Sequence, residues 1–433
     1  MSWFEKQFKL KENNTDVKTE MLAGLTTFMT MAYIIFVCPE MLSKTGMPFG
    51  AVLTATCVGA AFGTFLMAIL ANYPFALAAG VGLIPFFTYS VVLGMGIPWQ
   101  TALTAVFIEG ILFIILTLTK VREEAVNSLP KTLKIGIAAG IGLFITFIGL
   151  QNAGIVVKND AVLVSITNLR SNVPALLALA GLILMVALEV KKVRGGILIG
   201  IAAVTIVAIP LGVTTMPTAI FSMPPSVGPI FWKMDFSGIM NPNFWIVVLT
   251  FFFVDFFDTV GTLVGVSSRA KMLDKDGNLP RATQAFMADA VGTVAGAVLG
   301  TSTVTTYVES ASGVEQGGRT GLTALTVAAL FLLAMFFNPL ISVVPACATA
   351  PALMMVGCYM MMGFEDLVFD DWTEFFPALM AFLIMPFAYS IAAGIEFGIV
   401  SYVILKIVTG KSKDIHWIMY VLAALFILNR AFL

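Results

Sequence analysis

Charge is scarce in this chain. Of 433 residues only 11% are Asp, Glu, Lys or Arg, against about 25% in a soluble domain. Acidic and basic residues nearly cancel, 25 against 24, leaving a net charge of −1; that excludes a strongly basic nucleic-acid binder. Histidine occurs once, as His416. Cysteine occurs four times, at Cys38, Cys57, Cys347 and Cys358. All four lie in or beside apolar runs, and no CxxC or Cys/His spacing points to a metal, so they read as small apolar fillers. There is no Walker A loop, no ATP-binding domain and no catalytic triad, which argues against a primary pump, a membrane hydrolase or any other enzyme, and nothing calls for a cofactor. Residues 1–20 are polar, hold Lys6, Lys9, Lys11 and Lys18, and lack the apolar run of a signal peptide; they are expected to form a cytoplasmic tail.

What fills the chain instead is apolar. Hydrophobic residues make up 59% and the mean hydropathy is +0.97. Apolar runs extend from Met21 to Leu433, leaving no room for a large soluble domain, so the chain is an all-α polytopic protein of the lipid bilayer. The runs are 21–37, 51–71, 75–94, 99–118, 132–150, 173–190, 195–213, 243–266, 283–300, 303–315, 320–341, 344–362, 374–389, 391–409 and 415–432. A spanning helix needs about 20 residues. The short runs 303–315 and 374–389 are therefore expected to be half-helices or hairpins shielded by protein. The last run is either a span or an interfacial helix, giving about fourteen spans in all.

Basic residues cluster in alternate loops: Lys120, Arg122, Lys131 and Lys134; Lys191, Lys192 and Arg194; Arg269, Lys271, Lys275 and Arg281; then Arg319. The positive-inside rule places these loops and the N-terminus in the cytoplasm of a cell-membrane protein. The break 214–242 carries Pro217, Pro224, Pro225, Pro229 and Pro242. It divides the chain into halves 21–213 and 243–433 of about seven spans each, and an odd number per half is the arithmetic of an inverted repeat. Corresponding positions support this. Ala76–Gly82 in the third span and Gly300–Tyr307 in the tenth are Gly-rich or β-branched stretches followed by short helices. Such residues disfavour continuous helix, and the two stretches could satisfy each other's backbone groups or a substrate's.

Carboxylates inside these runs are the candidate functional groups. A charge at the bilayer centre costs about 2.5–3.5 kcal/mol on insertion scales, and folding alone does not require it. Asp255 and Asp258 lie three residues apart in the eighth span, on nearly one helix face. One is expected to meet substrate and the other to be structural; Asp258 is preferred for substrate because Thr259, Gly261 and Thr262 follow it. Glu309 falls at the start of the short helix after the tenth-span extended stretch, where free N–H groups favour an anion or a hydrogen-bonding ligand; a simple helix cap is the bland alternative. Asp289 in the ninth span fits a buried brace as well as a proton relay. Glu109 and Glu396 have less polar company and read as structural. His416 sits by a polar loop near the end, so any proton coupling has to use carboxylates, whose burial penalises the charged form.

Several of these segments resemble the nucleobase–cation symporter-2 superfamily, in its AzgA-like branch of hypoxanthine, guanine and adenine permeases. The residues that carry the likeness are Lys18-Thr19-Glu20 through Tyr33-Ile34, Asp255–Thr262, Gly300-Thr301-Ser302-Thr303 through Glu309-Ser310, Gly317-Gly318-Arg319-Thr320-Gly321-Leu322, Met385-Pro386 and Ser390-Ile391-Ala392. The resemblance implies fourteen spans in two inverted seven-span repeats. It further implies a core domain of spans 1–4 and 8–11 moving against a gate domain of spans 5–7 and 12–14, with substrate between the half-helices of spans 3 and 10. On that likeness Asp258 and Glu309 are the span-8 and span-10 acidic residues, with Ser310 beside the latter. Thr262 is the polar residue one turn after Asp258, and Asp289 is the span-9 aspartate. Backbone near Gly82 and Val308 completes the base's hydrogen bonds, and Thr27 and Tyr307 are wall residues. The implied partners are a purine nucleobase and a co-transported proton carried on Asp258, Asp289 or Glu309, with sodium as the alternative ion and a homodimer as an open assembly. The chain departs from the branch in the third span: where the branch reads close to Ala-Pro-Gly-Met-Gly-Leu-Asn-Ala, this chain reads Ala78-Ala79-Gly80-Val81-Gly82-Leu83-Ile84-Pro85. Ile84 replaces the asparagine, which removes a polar contact beside the implied site. Glu396, in a segment the family tends to keep uncharged, is a second departure.

Two other readings compete. An inorganic-anion or other small-molecule carrier of the same fold would want a basic or neutral site, which two acidic residues oppose. A channel would show rings or repeats of pore-lining residues, and half-helices at mid-membrane fit alternating access better.

Overall fold

The computed structural model describes residues 3–119, 129–269, 272, 279–367 and 369–432. Lys120, Arg122, Lys271 and Lys275, used above for orientation, lie outside the described residues. Helices dominate: α1 (Val17–Met31), α2 (Ile34–Ser43), α3 (Phe49–Leu66), α4 (Leu83–Pro85, continued as a π-helix over Phe86–Gly94), α5 (Trp99–Leu118), α6 (Lys131–Asn152), α7 (Val173–Val190) and α8 (Gly196–Ala208). After an irregular stretch come α9 (Pro242–Arg269), α10 (Ala282–Leu299), α11 (Ser310–Glu315), α12 (Gly321–Ala334), α13 (Ala346–Met361), α14 (Trp372–Phe387), α15 (Ile391–Val408) and α16 (Trp417–Phe432). Among the described residues ten helices are long and apolar enough to cross a membrane, and four shorter apolar helices accompany them. Helix α9 begins at Pro242, inside the stretch read as linker; proline is suited to the first helical turn because its missing N–H has no intrahelical partner there.

Two pairs of short strands interrupt the helices. The hairpin β2 (Val156–Asn159) and β3 (Leu163–Ile166) follows α6. It lies between the apolar runs 132–150 and 173–190. The strands are rich in β-branched residues, and the turn is closed by Asn159, whose Oδ1 accepts from Ala161 N at 2.9 Å and Val162 N at 3.1 Å.

The second pair positions the candidate site. Strand β1 (Leu77–Ala79) precedes α4 and β4 (Val304–Thr306) precedes α11; they pair antiparallel, Leu77 opposite Thr306 and Ala79 opposite Val304. Backbone bonds extend the pair at both ends, Tyr307 N to Ala76 O at 2.9 Å and Gly80 N to Thr303 O at 2.8 Å. A two-stranded ribbon leaves outward N–H and C=O groups that lipid cannot satisfy. Side chains take them up. Thr64 Oγ1 accepts from Leu77 N and donates to Leu77 O, at 2.8 and 2.9 Å. Thr293 Oγ1 donates to Val304 O at 3.0 Å. Asp289 Oδ1 accepts from Thr306 N at 3.0 Å, and Ser310 Oγ accepts from Ala76 N at 3.0 Å. Glycine lets α3 and α10 approach the ribbon: a Cβ on Gly63 would lie 2.9 Å from Val304 Cγ1, and one on Gly296 2.8 Å from Val304 Cγ2.

The helices pack in two groups. Around the ribbon, α10 lies on α3 and α5, α12 on α1 and α3, and α9 on α5. Beside them, α6 packs on α13 and α14, α7 on α8 and α13, and α15 on α14 and α16.

Candidate functional site

The ends of the ribbon, the heads of α4 and α11, and one face of α9 converge. Glu309 stands immediately before α11 but makes no side-chain cap bond to it. Its Oε1 instead accepts from the hydroxyl of Tyr33 at 2.7 Å. Tyr33, at the break between α1 and α2, is fully buried. Glu309 itself is half-buried, and the neighbouring Val308 is 48% exposed. Asp258 on α9 is also half-buried and close enough to Glu309 for the two charges to interact.

Helix α9 has two chemically different faces here. Asp258, Gly261 and Gly265 all retain solvent exposure. A Cβ built on either glycine meets nothing within 4 Å. Their i, i+3, i+7 spacing makes one open stripe. The adjoining, packed side carries Asp255 and Thr259, both fully buried. The Thr259 hydroxyl lies 2.8 Å from Thr305 Oγ1, 3.1 Å from Asp289 Oδ2 and 3.4 Å from Asp255 Oδ1.

Residues of the second helix group close in from the other side. A Cβ on Gly82 would lie 3.0 Å from Ile141 Cγ2 on α6 and 4.0 Å from Met360 Cε on α13. Tyr359 on α13 lies near Glu189 and feels the charge of Glu309. Among the described residues, the ion pairs involve other carboxylates, and none joins a lysine, arginine or histidine to Asp258, Glu309, Asp255 or Glu109.

The remaining sequence candidates take other places. Ser310 and Asp289 close the ribbon, as described; Asp289 Oδ1 also accepts from Thr306 Oγ1 at 3.1 Å. Thr262 is only 9% exposed. Tyr307 is 4% exposed and its hydroxyl donates to Ala79 O, so it braces the ribbon. Thr27 is fully buried, with no partner for its hydroxyl, and packs against Gly313 of α11. Sequence reasoning missed Tyr33, Tyr359 and Thr305. Tyr33 had a usable signal, as a phenol in an apolar span, but its partner 276 positions away could not be read locally.

Residues 18–397 match the permease family of xanthine and uracil carriers. A permease of Methanocaldococcus jannaschii whose name gives no substrate is 52% identical over 100% of this chain and 99% of its own length. The guanine/hypoxanthine permease PbuG of Bacillus subtilis is 45% identical over 98% of this chain and 99% of its own. The adenine permease AdeP of Escherichia coli is 42% identical over 99% and 96%. Among solved structures, the transmembrane domain of the cyanobacterial bicarbonate transporter BicA superposes with a TM-score of 0.67 at 17% identity, covering 87% of this chain and 97% of that one. That likeness is one of fold.

Proposed function

The chain belongs to the xanthine/uracil permease family, and from that premise we propose that it imports a purine nucleobase, adenine, guanine or hypoxanthine, by proton symport with alternating access. The observation that carries this reading is the half-buried Glu309 carboxylate, held through Oε1 by Tyr33 and close enough to a half-buried Asp258 for the two charges to interact. A purine presents ring N–H and exocyclic N–H donors, and a carboxylate accepts two such bonds. Backbone at Gly82 and Val308 supplies further edges for a flat ring, and Thr262 the wall beside Asp258. Uptake of radiolabelled adenine, guanine and hypoxanthine by cells expressing the chain, with and without a proton uncoupler, tests it. No uptake of any purine refutes the substrate class; uptake indifferent to the uncoupler and dependent on sodium refutes the proton.

For the moving parts, we propose that α1–α5 with α9–α12 form the core and that α6–α8 with α13–α16 form the gate. The separate packing of the two helix groups supports this division. The antiparallel ribbon, with one strand from each half, supports two inverted repeats, 21–213 and 243–433. The basic loops support a cytoplasmic N-terminus in the cell membrane. An inorganic-anion carrier is the weaker reading: two carboxylates with no paired cation repel an anion.

A further inference from the structure

One acidic pair takes no part in the site above. Glu109 lies midway along α5 and Asp255 on α9, and neither has exposed surface. The two carboxyl groups are within hydrogen-bond reach of each other. Yet neither oxygen of Glu109, nor Oδ2 of Asp255, meets any N–H or hydroxyl donor. Ionised carboxylates only accept, so this contact becomes a hydrogen bond only when one of its oxygens carries a proton. The charged groups that face the pair do not remove that need. Asp289 on α10 and Asp258 on α9 are acidic, as is Glu309 beyond Asp258. Among the described residues no lysine, arginine or histidine pairs with Glu109 or Asp255. Two like charges in contact in a low-dielectric interior share a proton in preference to ionising together.

The pair is also wired to the ribbon. Asp255 Oδ1, Asp289 Oδ2 and Thr305 Oγ1 all lie within 3.4 Å of the single hydroxyl of Thr259. One hydroxyl has one proton to donate, so it serves one acceptor at a time. Thr259 follows Asp258 directly, and Thr305 lies on the strand that leads to Glu309. A shift of α9 or β4 on engaging a base would change these three distances, and with them which acceptor Thr259 serves.

We propose that the Glu109–Asp255 pair holds the co-transported proton as an acid–carboxylate hydrogen bond, and that Thr259 links its loading to the base site. The proton comes from water on one side and returns to water on the other; only O–H bonds form and break. This rests on the proton-symport reading, and it places the proton on none of Asp258, Asp289 and Glu309; Asp258 keeps its role towards the base.

The test uses the full chain in proteoliposomes with a trapped pH dye. It compares the wild type with Glu109→Gln in base-driven proton movement and in exchange of labelled for unlabelled base, which needs no net proton flux. Glu109→Gln is expected to keep exchange within about threefold of wild type, as it leaves the base contacts intact, while proton movement and uphill accumulation fall at least tenfold. Proton movement at the wild-type ratio to base overturns the proposal. Should Glu109→Gln not fold, Glu109→Asp decides: it keeps a carboxyl but alters the pair, so coupling persists with a displaced pH dependence, and an unchanged pH profile overturns the assignment. A wild type that exchanges no purine refutes the functional reading itself. A wild type that moves purine with sodium and no proton refutes the coupling ion, and the pair as proton carrier with it.

Discussion

Tyr33 and Glu309 are 276 positions apart in sequence, yet the phenol of one donates to the carboxylate of the other at 2.7 Å. The bond ties the break between α1 and α2 to the head of α11 and fixes how the Glu309 carboxylate is oriented. Removing it leaves the carboxylate in place but poorly aimed. Tyr33→Phe is therefore expected to raise KM for the base about tenfold, since a hydrogen bond to a charged group contributes about 1.5–3 kcal/mol. Glu309→Gln is expected to be more severe, at about a hundredfold or worse, because an amide N–H then faces base donors. Initial-rate uptake of a labelled purine measures both, and an unchanged KM in Glu309→Gln removes this residue from the site.

Gly82 is expected to tolerate no side chain for a reason of position. Its missing Cβ is what lets α6 approach, with Ile141 Cγ2 only 3.0 Å from where that atom would sit. Gly82→Val puts bulk between the ribbon end and α6, in the space assigned to the ring. Base binding is expected to be lost while the protein still elutes as a folded species in detergent. Binding at wild-type affinity places the ring elsewhere.

Some of this was legible in the sequence because it is local. Intramembrane charge marked Asp255, Asp258, Asp289 and Glu309, and β-branched or Gly-rich stretches marked the ribbon strands. What was not legible depends on partners far apart in the chain. Nothing near Glu109 announces Asp255, and nothing near Asp289 announces Thr306 N, which donates to its Oδ1. The β2–β3 hairpin depends on a turn at Asn159, whose Oδ1 accepts from Ala161 N and Val162 N, and the pattern of long apolar runs does not encode it.

Glu20 illustrates a carboxylate spent on stability. It is fully buried. Its Oε1 accepts from Arg319 N at 2.8 Å; its Oε2 accepts from Thr320 N, Thr323 N and Thr323 Oγ1, at 3.2, 3.1 and 2.6 Å. It thus caps the head of α12 from α1. Glu20→Ala strands those donors and is expected to destabilise the protein by about 3 kcal/mol. The readout is a lower thermal unfolding midpoint in detergent, unaffected by added purine. A midpoint unchanged from wild type contradicts the capping role.

At the head of α14, Asp371 gives a pH signature outside the spans. The Lys411 ammonium at 2.7 Å, and then the Thr373 hydroxyl and N–H, hold its carboxyl well below the usual range. A lowered folded-state value means the contribution is complete above about pH 4, the ordinary carboxylate value, and fades as pH falls through the folded one. The ion pair is exposed and the effect small. Asp371→Asn is expected to lower the unfolding midpoint slightly near neutral pH, with the gap to wild type closing in acid. A gap that widens in acid reverses the sign and refutes the assignment.

A polar cluster joins the two helix groups at one end of the molecule. Lys44, at the end of α2, donates to Asn152 Oδ1 at the end of α6 at 2.8 Å and to Tyr89 OH at 3.0 Å, and pairs with Glu40 at 3.2 Å. Glu40 in turn accepts from Thr349 on α13 at 2.9 Å. If the groups move against each other during transport, these bonds must break in one state and reform in the other. Tying them permanently should then stop the cycle without touching the base site. The double variant Lys44→Cys with Asn152→Cys, bridged by a short reducible thiol cross-linker, is expected to lose uptake and recover it on reduction. Each single variant treated alike is expected to keep transporting. Cross-linked protein that carries purine at the rate of the reduced form shows that the groups stay together at this end, and the hinge must be sought at the opposite one.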